Sequence, residues 1–220
     1  MKKKPRFVVG IDEVGRGPIA GPVTVCAVAM PYPAYKRARW PGLTDSKKMT
    51  KLAREKWYTK AKILEKEGKI RIAVASQTAA QIDKKGIAVC IRACIAKNVQ
   101  SLNLDPKQTQ VLLDGSLKAP IEYTNQQTVI KGDQKHKIIS LASVLAKVSR
   151  DAYMVKMAAK YPGYGWELNA GYGTKAHYQA LKKLYFTRLH RKSFLKAMKK
   201  TRSLLCGTPI FEASSNQCCT

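Results

Sequence analysis

The chain has 220 residues, and its 41 Lys and Arg against 14 Asp and Glu give a formal net charge of +27. A hydrophobic content of 45% is typical of a globular domain with a buried core and excludes an intrinsically disordered chain. A positive charge of this size repels itself in a compact fold, so it predicts a polyanionic partner, with nucleic acid favoured over an anionic membrane surface.

The sequence is predicted to have neither a membrane span nor a secretory signal. No stretch approaches the roughly 20 apolar residues that cross a bilayer, and the apolar run that follows the basic N-terminus, residues 7–11, is too short for a signal peptide. The six cysteines have the spacing of neither a zinc site nor a disulfide framework. Cys90 and Cys94 lie one helical turn apart and are predicted to be small buried side chains. This cysteine usage suits a reducing compartment, and we expect a cytoplasmic protein that does not bind membranes.

Strand and helix patterns alternate along the chain, which indicates an α/β fold. Apolar runs predict strands, and apolar spacing with helix-forming residues predicts helices. The predicted strands are residues 7–11, 23–30, 70–78, 109–113 and 128–131, and the predicted helices are 50–67, 79–102 and 138–161. Residues 12–22 hold three glycines and two prolines and must bend, and residues 31–45 are predicted to form a loop. Two basic helices, about 175–185 and 192–205, extend one catalytic domain of residues 1–207, and residues 208–220 are predicted to be a flexible tail.

Acidic residues follow three of the predicted strand patterns. Asp12, Asp114 and Asp133 stand directly after apolar strand sequences, and Glu13 follows Asp12. Ligand sites of open α/β sheets form at the carboxyl ends of strands, which lie about 4.8 Å apart, so these carboxylates are expected to converge. Mutual repulsion would raise their pKa values, and a hard divalent cation, Mg²⁺ or Mn²⁺, removes that conflict. Each aspartate alone also fits a turn, but three such acids in so basic a chain favour a metal site.

The adjacent pair of acids poses a geometric problem. Consecutive strand residues face opposite sides of a sheet, so Asp12 and Glu13 cannot both enter one site from a regular strand. Either the backbone bends at Glu13, or only one of the two is a direct ligand, in which case Asp12 is the better candidate.

The bend after these acids contains Gly15, Arg16 and Gly17. A helix does not follow, so the segment fits neither a dinucleotide-binding loop nor a nucleoside-triphosphate loop. An exposed glycine-rich backbone beside an acidic site can approach a sugar or a phosphate closely. The alternative is a tight turn that only reverses the chain.

Several other residues are candidates for substrate contact. Lys47 and Lys48, just before a predicted helix, and His190 and Arg191 suit contact with phosphates. Tyr172, in a loop rich in glycine and tyrosine, is placed to stack on a sugar or a base. The alternatives are solvated charges for the basic residues and an ordinary packed side chain for the tyrosine.

The sequence resembles the bacterial ribonuclease HII family, ribonuclease H type 2. The motifs that carry the resemblance occur in the family's order and cover most of the chain: GIDEVGRGPIAGPV at 10–23, LTDSKKMT at 43–50, VLLDG at 111–115, VIKGD at 129–133, ISLASVLAKVSRD at 139–151, GYGT at 171–174 and HRKSF at 190–194. Residues Lys84, Lys85 and Gly86 depart from the family's pattern, and the tail from residue 208 has no counterpart in it.

The resemblance implies a ribonuclease H-like fold, with a five-stranded mixed sheet flanked by helices. It also implies an endoribonuclease that cleaves RNA in RNA–DNA hybrids and nicks 5′ of single ribonucleotides embedded in duplex DNA. The site residues carried over are the four acids as catalytic metal ligands, the turn that reads the ribose 2′-hydroxyl through its backbone, and the tyrosine that senses the junction: Asp12, Glu13, Asp114 and Asp133; Gly15, Arg16 and Gly17; and Tyr172.

We hypothesise hydrolysis with two metal ions, Mg²⁺ or Mn²⁺, that leaves 5′-phosphate and 3′-hydroxyl ends. The expected partners are RNA–DNA hybrids and DNA duplexes containing ribonucleotides, and a monomer is expected. Two alternatives remain open: a basic nucleic-acid-binding protein without catalysis, and a Mg²⁺-dependent nuclease of the same fold with another substrate.

Overall fold

The structure is a computed structural model that describes residues 4–195. Its centre is a five-stranded sheet in the order β3-β2-β1-β4-β5, and the strands are β1 Phe7–Val14, β2 Val23–Pro31, β3 Arg71–Gln77, β4 Thr109–Asp114 and β5 Gln126–Val129. Strands β1, β2 and β3 pair antiparallel, whereas β4 runs parallel to both β1 and β5. The five-stranded mixed sheet predicted from the sequence is confirmed.

Helices cover both faces of the sheet. They are α1 Tyr32–Arg37, α2 Lys51–Lys66, α3 Ala79–Lys85, α4 Ile87–Ser101, α5 Gly132–Lys135, α6 Lys137–Lys160, α7 Trp166–Asn169 and α8 Lys175–Leu184. Helix α4 packs on one face and helices α2 and α6 on the other, which is why β1 and β2 are apolar on both sides. Alternation along β1 directs Val9 and Ile11 to the α4 side and Val8 to the α6 side.

Helix α6 approaches β1 unusually closely. A Cβ placed on Gly10 would lie 2.5 Å from the backbone carbon of Ile138, so only glycine leaves room for the helix at this point. The helix predicted from apolar spacing over residues 138–161 is confirmed, and its first half is buried on all sides and not on one face only. This contact fixes α6 beside the end of β1 that carries Asp12.

A third cluster of buried residues joins the C-terminal elements to α6. Met154 of α6, Trp166 of α7 and Leu181 of α8 pack together, and Leu189 completes the contact. Residues 15–22, between β1 and β2, pack on this cluster through Ile19 and Ala20. Within residues 4–195, no helix combines the length and the apolar character that a membrane span needs.

Four predicted boundaries differ from the structure. Strand β1 continues through Val14 and not only to residue 11, so Asp12 and Glu13 lie within the strand. The loop predicted over residues 31–45 contains the six-residue helix α1. The single helix predicted over 79–102 is two helices, because Gly86 adopts a φ of +81° that ends α3. Strand β5 ends at Val129 rather than at residue 131, so Asp133 lies in the first turn of α5 and not directly after a strand.

The predicted C-terminal extension is described only in part. Helix α8 confirms the first basic helix. Of the second, predicted over 192–205, residues Lys192–Leu195 form a short 3-10 helix. The remainder of that helix and the predicted tail, 208–220, lie outside the described residues.

Candidate active site

Asp12 and Asp114 lie at the same edge of the sheet. Strands β1 and β4 are parallel neighbours whose pairing ends at Ile11 opposite Leu113, so each aspartate is the next residue of its strand. Burial, followed by the charges of Glu13 and Asp114, raises the pKa of Asp12 well above its usual range. Asp114 is thus near enough to Asp12 for its charge to act on it, whereas a shared metal site for the strand-end acids stays a prediction.

Asp12 is the most enclosed of the four predicted acids, with 6% of its surface exposed. Its carboxylate accepts a hydrogen bond from the Glu13 backbone N–H at 2.8 Å, and the Ser143 hydroxyl of α6 lowers its pKa by hydrogen bonding. The Ser143 hydroxyl lies 2.8 Å from that of Ser46, so a chain of side chains connects Asp12 with residues 43–49. The sequence analysis did not identify either serine as part of the site.

Glu13 belongs to a regular strand. Strand β1 continues in register with β2 through Val14, so the backbone does not bend at Glu13, and Asp12 and Glu13 leave opposite faces. Burial raises the pKa of Glu13, Asp114 raises it further, and the nearby charges of Arg16 and Lys47 lower it. An Arg16 nitrogen lies 3.6 Å from its carboxylate. That Glu13 is a direct metal ligand stays a prediction.

Asp133 faces a fifth carboxylate that the sequence analysis missed. Burial, then the charges of Asp45 and Asp114 and a hydrogen bond with Asp45, raise the pKa of Asp133 to about 6. Asp45 is 8% exposed and accepts the Lys47 backbone N–H at 2.9 Å. Asp114 accepts the N–H of Gly132 at 2.6 Å, which fixes the turn before Asp133. No strand pattern precedes Asp45, which lies in a loop, so the signal that marks Asp12 and Asp114 is absent there.

The chemistry of these side chains fits a hard divalent cation. All are carboxylates with oxygen donors, and burial together with neighbouring negative charge raises the pKa of Asp12, Glu13 and Asp133, an effect that a bound cation would oppose. Among residues 4–195, no three His, Cys, Asp or Glu side chains already form a ligand group.

The turn that follows the acids has an open side and a closed side. Gly17 is exposed, and a Cβ built on it would meet nothing within 4 Å. Gly15 is buried with a φ of +86°, and a Cβ there would lie 2.3 Å from Arg150 Nε. The turn thus presents free backbone at Gly17 and is held from beneath at Gly15.

The prediction that His190 and Arg191 contact phosphate is wrong in this structure, because both side chains are buried. Burial lowers the pKa of His190 to about 3, which leaves it neutral, and its Nε2 lies 3.2 Å from that of His177. The guanidinium of Arg191 donates instead to the carbonyls of Gly15 and Arg16, at 2.6 and 3.0 Å. Arg191 supports the turn from inside the protein.

The other predicted contact residues lie on the surface. Lys47 and Lys48 are exposed, and the charge of Lys47 lowers the pKa of Glu13 and Asp133, which places it near both acids. Tyr172 is 41% exposed, and its carbonyl accepts a hydrogen bond from His177 Nδ1 at 2.8 Å. Their contact with substrate stays a prediction.

The chain resembles known proteins over most of its length. The profile of the Ribonuclease HII family matches residues 9–197. The chain is 43% identical to Ribonuclease HII of Shouchella clausii over 202 residues, which cover 91% of this chain and 73% of that protein. It is 41% identical to Ribonuclease HII of Staphylococcus carnosus over 196 residues, 88% of this chain and 70% of that protein. Other curated relatives are covered over about two thirds of their length.

Solved structures show the same fold at lower identity. Ribonuclease H2 of Pyrococcus horikoshii has a TM-score of 0.74 at 23% identity, with 90% of this chain and 100% of that chain covered. Bst-RNase HIII in complex with Mn²⁺ has a TM-score of 0.58 at 19% identity, with 90% and 71% covered. The fold is therefore the ribonuclease H-like fold, and the chain belongs to the ribonuclease HII family of endoribonucleases.

Proposed function

We propose that this enzyme cleaves the RNA strand of RNA–DNA hybrids and nicks 5′ of single ribonucleotides in duplex DNA. One observation carries the proposal: mutually repelling carboxylates at a sheet edge lie a few residues from an exposed glycine turn, in a chain of net charge +27. The acids suit a cation that acts on a phosphodiester, and the positive surface suits the polyanion that carries it. A non-catalytic binding protein would account for the charge but not for the acids.

The acids and the turn have different proposed roles. Asp12, Asp114 and Asp133 would hold Mg²⁺ or Mn²⁺ directly, and Glu13, which leaves the opposite face of β1, would contribute its charge. The metal would supply an activated water and stabilise the leaving 3′-oxygen. The open backbone at Gly17 is placed to contact a ribose 2′-hydroxyl. Because water rather than that hydroxyl attacks the phosphorus, the products would carry 5′-phosphate and 3′-hydroxyl ends.

Basic and aromatic side chains around the acids would orient the substrate. Lys47, whose charge acts on two of the acids, would neutralise a phosphate beside the scissile bond, and Lys48 and Arg16 would contact neighbouring phosphates. The exposed ring of Tyr172 would stack on the nucleotide that follows the ribonucleotide. We also propose a monomer, which light scattering would test, and a cytoplasmic location on the basis of cysteine usage.

A duplex with a single embedded ribonucleotide tests this function. The protein is incubated with the duplex in Mg²⁺, Mn²⁺ or EDTA, with Asp12→Asn as the matched variant. Nicking 5′ of the ribonucleotide that needs metal and is lost in Asp12→Asn, while hybrid binding remains, is the expected result. Binding without nicking would indicate a silent binding protein, and cutting without regard to the ribose would indicate a general nuclease.

A further inference from the structure

Two arginine side chains lie inside the protein behind the proposed 2′-hydroxyl-reading turn. Arg150 of α6 is 1% exposed and Arg191 is 0% exposed. Neither forms a salt bridge within residues 4–195, and all six hydrogen bonds of the two guanidinium groups go to backbone carbonyls. Burying a charge without a counter-charge is costly, so each is retained only where its donors are well satisfied.

Arg150 joins two separate segments. Its Nε and Nη2 donate to the carbonyls of Pro22 and Ala20, at 2.8 and 3.1 Å, in the segment between β1 and β2. Its Nη1 donates to the carbonyl of Ala170 at 2.8 Å, two residues before Tyr172. One planar guanidinium group thus bridges the turn segment, residues 15–22, and the tyrosine loop, residues 170–174, and we call the contact between them the seam.

Backbone hydrogen bonds also join these two segments. The carbonyl of Gly171 accepts the N–H groups of Ile19 and Ala20, at 2.9 and 3.1 Å. Gly171 has a φ of +82°, and a Cβ on it would lie 2.4 Å from the Ala20 carbonyl oxygen. The turn segment and the tyrosine loop are therefore in direct backbone contact, with no room between Gly171 and Ala20 for an added methyl group.

Arg191 acts on one segment only. The three hydrogen bonds of its guanidinium group go to the carbonyls of Gly15, Arg16 and Gly21, at 2.6, 3.0 and 3.0 Å, all within residues 15–22. It fixes the shape of the turn itself, whereas Arg150 fixes the turn relative to Tyr172. The two arginines therefore make separable predictions.

We propose that Arg150 is a positioning residue that sets the spacing between Gly17 and Tyr172, and that this spacing selects a single ribonucleotide embedded in DNA. A duplex with one ribonucleotide must place its one 2′-hydroxyl at the turn while the next nucleotide meets the tyrosine. A continuous RNA strand offers a 2′-hydroxyl at every position. A shift of the tyrosine loop should therefore reduce cleavage of an RNA–DNA hybrid less than cleavage at a single ribonucleotide. The inference rests on the proposed function and adds the residue, Arg150, that supports selection of a single ribonucleotide.

The test compares kcat/KM on a duplex with one ribonucleotide and on an all-RNA strand of the same sequence paired with DNA. Lysine at position 150 keeps the charge but cannot span three carbonyls with one nitrogen. In Arg150→Lys the ratio of single-ribonucleotide to hybrid cleavage is expected to fall on the order of tenfold, because small misplacements have effects of this size. In Arg191→Lys cleavage of both substrates should fall together.

Two further variants make the result decisive. Gly171→Ala pushes the same seam apart without changing a charge, so it should lower the ratio as Arg150→Lys does, and it decides the matter if Arg150→Lys does not fold. Val99→Ala, in α4 and 3% exposed, lowers the melting temperature away from both loops and should keep the wild-type ratio.

The possible outcomes separate the inference from the function on which it rests. A wild-type ratio in folded Arg150→Lys and Gly171→Ala, or equal losses on both substrates, would overturn the positioning role. Failure of the wild-type protein to nick the single ribonucleotide would instead refute the proposed function.

Discussion

Replacing Asp133 with asparagine tests whether burial and the neighbouring carboxylates disfavour the ionised form of Asp133 in the protein without metal. The rise in the pKa of Asp133 from 3.8 to about 6 corresponds to about 3 kcal/mol of disfavoured ionisation. Because Asp133 is partly exposed, solvent screening reduces this figure, and we expect Asp133→Asn to stabilise the protein by about 1 kcal/mol. For a domain of this size, that is a rise of about 2–4 °C in melting temperature.

The pH dependence follows from the direction of the shift. The folded protein binds the Asp133 proton more tightly than the unfolded chain does, so the wild type loses stability as pH rises from 3.8 through about 6. The difference between Asp133→Asn and the wild type should be absent below pH 3.8 and complete above pH 6. Added Mg²⁺ or Mn²⁺ should reverse its sign, because only the wild type retains the full set of carboxylates.

The measurement is thermal unfolding in EDTA at several pH values, with activity in Mg²⁺ as the second readout. Glu122→Gln is the matched control, because it also removes one negative charge but lies exposed and outside the site. Its stability should match the wild type at every pH. If Asp133→Asn were no more stable than the wild type at pH 7.5 without metal, the inferred rise in the pKa of Asp133 would be wrong.

Three further variants address the packing and the chemistry of the site. Gly10→Ala places a methyl group 2.5 Å from the Ile138 backbone, and we expect a loss of about 1–3 kcal/mol in the free energy of unfolding, measured with urea; an unchanged value would contradict the close approach of α6. Ser143→Ala removes a hydroxyl that lowers the pKa of Asp12, so the acid limb of the pH–activity profile should move to higher pH, and a profile without that shift would speak against the contact. Tyr172→Ala should leave the melting temperature unchanged and lower cleavage of a single embedded ribonucleotide by about tenfold; equal activity would remove the ring from recognition.

The sequence predicts the central part of the fold because its signals there are local. Apolar runs mark β1 and β2, and Thr50 accepts the N–H of Ala53 as the cap that begins α2. The sequence predicts the edge strand β5 at residues 128–131, because Ile130 is apolar and fits a buried strand position. In the structure, Ile130 is 74% exposed and lies outside the strand. Strand β5 instead begins at Gln126, whose polar side chain gives no strand signal, and its position depends on pairing with β4.

The site was predictable to the extent that its residues follow strands. Asp12 and Asp114 could be found because parallel neighbours end at one edge. Asp45 and Ser143 could not, because a loop and a helix distant in sequence bring them to that edge. Arg191 was misinterpreted because a basic residue in so basic a chain is expected at the surface, and only tertiary structure shows that carbonyls surround it.

The choice of carbonyl partners for the buried arginines also bears on where substrate and cation bind. A carboxylate partner would cancel the charge of Arg150 or Arg191, whereas neutral carbonyls leave it in place beneath the turn. The acids at residues 12 and 13 precede a turn whose carbonyls accept from two buried guanidinium groups. One short segment therefore joins the acids that suit a cation to a turn that is held in place from inside the protein, and this connection fixes where the proposed ribose contact lies relative to the acids.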